Sequence, residues 1–380
     1  YVGGSGSGTL TFEYTIQPGD TAAVLDYAGT GALTTPSGAI RNAAGTTSAQ
    51  LQLPAPGGPG SLAQNRPLAV DTTGPTVARF GSTTPDGAYG AGASITVQAT
   101  MSEPVQAGGT LTATLDTGAQ VTLTATTAGT QLSGTYRVRA GDTSAGLTVS
   151  GYTAGTVADL AGNRLAGTVV PSGADNLGGA RSLVVKTQAP AAPGRPVATP
   201  VGGTVVANTL NQTNTGLRVS AAVTPGSATG GQARLLLDGR LLATATAIAA
   251  ADATVAFDLA TPSAAALQAL VPSGGQLTVV LADAAGNLSD PSPSLTLAAD
   301  FLPPSVLIGA DRVTLAQGQT ATITFTLNES VSFTSSLLQI SGGTLSSLTP
   351  ATAPFSYTAT FTPISGAAST ASIAVAAGSF

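Results

Sequence analysis

The chain repeats itself, and this internal period constrains its fold more tightly than any other feature. "FEYTIQPGDTAA", starting at Phe12, lies over "GTYRVRAGDTSA", starting at Gly134, with Tyr14 on Tyr136 and Gly19-Asp20 on Gly141-Asp142. With a few gaps the match runs on to "VDTTGP" at Val70 against "VKTQAP" at Val185. In each copy the alternating run before Gly-Asp reads as a strand entering a turn. A period of about 115 residues is the size of one β-sandwich. In this register Tyr1 falls on Leu123, so residues 1–70 correspond to the second half of a sandwich whose opening strands are missing.

Composition supports strands over helices. The 380 residues include 48 Gly and 24 Pro, with Thr throughout, and only 8% are charged. Such a balance favours short strands joined by turns, and the recurring Val, Ile and Leu keep a period of two. A third unit runs from about Pro190 to Asp300, where "GLRVSAAV", "QARLLLDGRLLATAT", "ATVAFDLA" and "QLTVVLADAAGN" alternate apolar and small polar residues around turns such as "DGR". Within it, "PSAAALQALVPSGG" holds one short helical turn. A fourth unit opens at Phe301-Leu302-Pro303-Pro304 and reaches Phe380 before the turn and strand that would close it. The expected domains are therefore 1–70, the C-terminal half of a sandwich; 71–186 and 187–299, complete sandwiches; and 300–380, a sandwich lacking its last strand.

Several function classes fall away on residue types alone. The chain has no His and no Cys, so imidazole acid–base chemistry, Ser-His-Asp triads, thiol chemistry and disulfide staples are excluded. Its three glutamates, Glu13, Glu103 and Glu329, are far apart, with no spacing that suggests paired carboxylate catalysis. "GGSGSG" lacks the Lys-Ser/Thr of a phosphate loop. The expectation is a protein that is not an enzyme. A net charge of −5 with a single lysine, Lys186, argues against nucleic acid and anionic membrane surfaces as partners. The most apolar stretch, "LLATATAIAAADATVAF", is broken by Thr and Asp, so no membrane insertion is expected in this segment. Without Trp, a carbohydrate-binding module lacks its usual stacking platforms.

These residues carry a family resemblance over nearly the whole length. "DTTGPTV…SITVQATMSEPV…YRVRAGD…DLAGN" resembles the bacterial Ig-like repeats of giant surface adhesins and cell-surface glycoproteins. "QARLLLDGRLLAT…VPSGGQLTVVLADAAGNLS" and "RVTLAQGQTATITFTLNESV…YTATFTP…ASIAVAAGSF" are similar to two further varieties of the same domain. The resemblance implies an all-β chain of tandem Ig-like antiparallel β-sandwich domains in an elongated array. It also implies an extracellular place on a bacterial cell surface, with calcium stiffening some joints between domains. Expected partners are neighbouring Ig-like domains of the same or adjacent chains, and a host or abiotic surface. Two roles follow: a spacer or stalk segment of an adhesin, or a subunit of an extracellular filament or surface layer assembled by strand complementation.

The strand order of such a sandwich brings distant residues to one pole. The incoming linker, the loop after the second strand and the loop before the last strand all share that end. Asp71 lies in the linker, Glu103 of "MSEPV" where the second strand finishes, and Asp159 and Asn163 of "DLAGN" in the last loop. Calcium takes 6 to 8 oxygen ligands, and these side chains with nearby backbone would supply them. The same residues are ordinary turn formers, because Asp and Asn bond their own backbone, so both readings stand. Asp300 and Glu329 repeat the first two members before the fourth unit, with Asp311 as a helper; "NAAGT" (Asn42, Thr46) is a weakened copy in the first. Before the third unit, Lys186 replaces the linker Asp and leaves Asp283 alone, so no metal and a looser joint are expected there.

Overall fold

A computed structural model describes residues 1–35, 39–365, 370–376 and 378. Nearly every regular element in it is a strand. Side-chain alternation is the cause: in β3 (Ser94–Val105), Ile95, Val97, Ala99 and Met101 point inward and are at most 2% exposed, while the residues between them face outward. Burying each large apolar side chain of this kind is worth roughly 1.5–3 kcal/mol, which fixes the register.

Three separate cores are present among the described residues. The first, from Val77 to Val185, is enclosed by β1 (Val77–Gly81), β2 (Gly87–Tyr89), β3, β4 (Thr110–Leu115), β5 (Gln120–Thr124), β6 (Gly129–Arg137), β7 (Thr143–Ser144), β8 (Val149–Ala154) and β9 (Leu183–Lys186). The sheets run β1-β3-β6-β5-β4-β8 and β2-β9-β7. Between β5 and β6 the pairing narrows to Thr124 opposite Ser133. Phe80 and Tyr152 meet edge-on inside it, with ring centroids 5.5 Å apart.

The second core, Ala198 to Leu297, lies between a sheet of β10 (Val197–Val201), β12 (Gly216–Ala222) and β15 (Thr254–Ala260) and a sheet ordered β11-β17-β16-β13-β14. The latter comprises β11 (Thr209–Asn211), β13 (Gln232–Leu237), β14 (Arg240–Thr246), β16 (Gly275–Ala282) and β17 (Leu295–Asp300). "PSAAALQALVPSGG" forms a seven-residue helix, Ala264–Leu270, whose first turn is capped by Ser263 and whose Leu267 enters the core. The third core gathers around Phe325, Phe333 and Phe361. It is framed by β18 (Val306–Ala310), β19 (Ala321–Leu327), β20 (Leu338–Ser341), β21 (Gly343–Leu345), β22 (Thr349–Pro350), β23 (Ser356–Pro363) and β24 (Ser372–Val375). The end at Phe380, expected to precede a closing strand, lies outside the described residues.

The fold is all-β and of Ig-like sandwich type, with two departures from strict antiparallel pairing among the described residues. β2 runs parallel to β9, and β11 parallel to β17. In the first core the opening strand switches sheets: β1 pairs with β3, then β2 crosses to β9, so both sheets gain an edge from one stretch of chain.

Residues 1–70 differ from the expectation of paired strands. Among those described there are only isolated bridges, such as Ala22 to Val70, and one helical turn at Leu62–Asn65. The reason is pairing. β6 is held by β3, and residues 1–70 contain no counterpart of β3. Tyr14, read from sequence as a packing residue, is 66% exposed, whereas its equivalent Tyr136 is buried at 2%.

The local repeat nevertheless survives in detail. Tyr14 Oη donates to Asp20 Oδ2 at 2.6 Å, and Tyr136 Oη donates to Asp142 Oδ2 at 2.6 Å. Thr72 Oγ1 donates to the Asp20 carbonyl, and Thr187 Oγ1 to the Asp142 carbonyl, both at 3.0 Å. The Gly-Asp-Thr turn thus clasps the outgoing linker in both copies. These bonds set Asp71 and Lys186, each one residue before the clasped threonine, in equivalent places.

Candidate metal centre

Three carboxylates reach one pole of the first core from three distant parts of the chain. Asp71 is in the incoming linker and exposed. Glu103 stands in an irregular stretch of β3, where pairing with β6 stops at Thr100 and resumes at Val105. Such a bulge frees side chains from the regular pleat and re-aims them. Asp159 follows β8, is 1% exposed, and is held beside Val105 by an isolated bridge. One oxygen of each lies within 4.8 Å of the others. Calcium–oxygen distances are about 2.3–2.6 Å, so two ligands of one ion stand no more than about 5 Å apart. The spacing fits a single ion.

Backbone and amide donors fix the carboxylates in place. Asp159 Oδ1 accepts from the Asn163 backbone N–H at 2.8 Å and Oδ2 from Asn163 Nδ2 at 2.7 Å. Asn163 Nδ2 also donates to the Asp71 carbonyl at 2.9 Å, tying linker to loop across 92 residues. Thr73 N–H holds Asp71 Oδ1 at 2.9 Å, and Gln106 Nε2 holds the Asp159 carbonyl at 2.9 Å. Asn163 was expected as an oxygen ligand. Its NH2 faces a carboxylate and a carbonyl and donates to both, so Asn163 holds Asp159 and the Asp71 linker in position. Turn chemistry and convergence coexist: the Asp159 turn bond is made, and it does not by itself explain the approach of Asp71 and Glu103.

The electrostatics record that approach. Partial burial raises the Glu103 pKa from its ordinary value, and the Asp71 and Asp159 charges beside it raise it further. Three acidic groups with no neutralising base among them are strained at neutral pH, and a divalent cation relieves that strain.

The other candidate joints sort differently. Before the third core, Asp283 is not alone, contrary to expectation. Lys186 Nζ lies 3.3 Å from Asp283 Oδ2, with Asp283 fully enclosed, and donates to the Ser227 carbonyl at 3.0 Å. The tie from loop to linker recurs, with Asn287 Nδ2 donating to the Lys186 carbonyl at 2.8 Å. The linker here carries no acid, and the lysine's second partner is a backbone carbonyl with no side-chain signature, so the sequence alone does not reveal this joint. Asp300 ends β17, and its Oδ1 accepts from Leu302 N–H at 3.4 Å. Glu329 is half-buried, with Oε1 shielded from solvent and without a hydrogen-bond partner. Neither belongs to a group of three acids among the described residues. Asp311 is not their helper: it accepts from Thr322 N–H beyond the far end of β18, a whole strand from Ser305 and Asn328. In the first copy, Asn42 Oδ1 accepts from Thr46 and Thr47 N–H, which is turn structure alone.

Residues 300–380 match the family model of the bacterial Ig-like domain. No curated protein matches the chain. Among the described residues no helix is long and apolar enough to cross a membrane. An Ig-like sandwich is typically a non-catalytic scaffold, consistent with a structural role at a surface or outside the cell.

Proposed function

We propose that this chain is a stalk segment of a secreted or surface-displayed bacterial adhesin, built of tandem Ig-like domains at 71–186, 187–299 and 300–380. Calcium stiffens it at the joint entering the 71–186 unit. The observation that carries this reading is the convergence of Asp71, Glu103 and Asp159, with ligand atoms within 4.8 Å, on the residue that links two repeats. Calcium would be held by these carboxylates together with nearby backbone oxygen, and it would contribute charge neutralisation and a bridge from linker to loop. Asp300 and Glu329 supply two further acids at the joint entering 300–380, an incomplete set that would bind more weakly.

Isothermal calorimetry on the whole chain tests the metal. One calcium site should appear in the wild type and vanish in Asp159→Asn. A wild type that takes up no calcium sinks the reading.

A second reading, assembly of chains into a filament or surface layer, is favoured by one observation. Tyr14 and Leu68 are 66% and 51% exposed, while their equivalents Tyr136 and Leu183 are buried at 2% and 0%. Exposed apolar side chains beside unpaired backbone are what a neighbouring chain covers by strand addition. Sedimentation at increasing concentration separates the two: a stalk segment stays a monomer, and a filament subunit self-associates.

A further inference from the structure

We infer that Lys186 is a built-in cation: its ammonium occupies, at the joint entering the 187–299 unit, the place that a metal ion takes at the joint of Asp71, and it locks that joint without any metal. The equivalence rests on the calcium reading of the Asp71 joint, while the lock itself stands on separate contacts.

The two joints share a frame. In each, an Asp-x-x-Gly-Asn loop turns on its aspartate: Asp159 Oδ1 takes Asn163 N–H at 2.8 Å, and Asp283 Oδ1 takes Asn287 N–H at 2.9 Å. In each, the loop asparagine reaches back to the linker carbonyl, Asn163 to Asp71 and Asn287 to Lys186. In each, the loop aspartate is almost wholly buried, at 1% and 5% exposure. A carboxylate buried to that extent needs a cation or it destabilises the fold. At the first joint, the charged side chains beside it, Asp71 and Glu103, are acids. At the second, the linker residue itself carries the charge: Nζ reaches Asp283 Oδ2 at 3.3 Å and the Ser227 carbonyl at 3.0 Å. Ser227 lies in the loop after β12, the loop that corresponds to the Glu103 segment. The ammonium therefore meets one carboxylate and one carbonyl from the same two loops that would feed a metal.

The lock spans two sandwiches. Lys186 is the last residue of β9, a strand of the first core, while Asp283, Ser227 and Asn287 belong to the second. Close approach reinforces it. A Cβ on Gly90, which follows β2, would stand 2.8 Å from the Ala285 carbonyl oxygen and 3.2 Å from Asn287 Oδ1. Only a glycine lets the Asp283 loop lie against the first sandwich here. A single chain thus combines one joint that answers to divalent cations with one that does not.

The chain has no cysteine, so Thr122→Cys and Ala256→Cys, both on outward strand positions, give a unique pair of spin-label sites across the joint. Electron–electron distance measurement should give a narrow distribution in the otherwise wild-type chain, identical in calcium and in chelator. Lys186→Met should broaden it in both conditions and lower the melting temperature of the 187–299 unit. Lys186→Met/Asp283→Asn, which removes the stranded charge, should regain the melting temperature and keep the broad distribution. A distribution that stays narrow in both variants, or a wild-type distribution that broadens in chelator, overturns the inference.

Discussion

Replacing Glu103 by glutamine should change the stability of the 71–186 unit with opposite signs in the absence and presence of calcium. The substitution keeps the shape of the side chain and removes one of three charges whose oxygens lie within 4.8 Å. In chelator the loss is favourable. The folded-state pKa of Glu103 is raised by burial and by Asp71 and Asp159, so ionisation opposes folding. The stability tied to its protonated form is present below the unfolded carboxyl pKa and is lost as pH rises through the folded value. Relief of like-charge repulsion in a near-aqueous setting at ~4 Å is worth about 1 kcal/mol. With an unfolding entropy of about 2.1 cal/mol/K per residue over roughly 115 residues, that is a rise of about 4 °C. Calcium at 100 times its dissociation constant adds about 2.7 kcal/mol, or about 11 °C, to the wild type. Differential scanning calorimetry at pH 7 should therefore find Glu103→Gln more stable than wild type in chelator and less stable in calcium. A variant that melts lower than wild type by the same amount in both conditions refutes the reasoning, because Glu103 would then be a packing or hydrogen-bonding group.

Further outcomes follow from the same geometry. Asn163→Ala removes the donor to Asp159 Oδ2 and the Asp71 carbonyl, and calorimetric titration should show calcium affinity weakened by about 10- to 100-fold, the usual effect of losing a ligand-orienting partner. Tyr136 has its pKa pushed up to about 12, first by burial and then by its bond to Asp142. A raised pKa means stability that is complete below about pH 10 and lost as pH climbs towards 12, so alkaline denaturation should begin in that window and be blunted in Tyr136→Phe. A Cβ on Gly74 would overlap the Arg164 carbonyl oxygen, so Gly74→Ala should lower the stability of the unit by about 1–3 kcal/mol in chemical denaturation.

Much of the fold was legible because sandwiches announce themselves through period-two alternation and Gly-containing turns. The repeat register proved accurate to individual bonds, as the paired clasps of Thr72 on Asp20 and Thr187 on Asp142 show. The meeting of Asp71, Glu103 and Asp159 was legible too, since strand order alone assigns those loops to one end. What escaped was non-local. The run at Phe12 alternates as β6 does, yet alternation cannot form a strand without a partner. Tyr14 and Tyr136 share a local environment and differ in burial only because one has a facing sheet. Lys186 was read as the loss of a site because an acid was missing, when the charge had been reversed and supplied from within the chain. Asp311 was misplaced because closeness in sequence to Asp300 ignores a strand that carries the chain to the opposite end.

The most direct test is a crystal grown with calcium, examined by long-wavelength anomalous scattering. The expected result is a peak about 2.4 Å from oxygens of Asp71, Glu103 and Asp159, with none beside Asp283, where the Lys186 ammonium already sits. A calcium-grown crystal with no peak at those three carboxylates, or with a peak displacing Lys186 from Asp283, would contradict the reading.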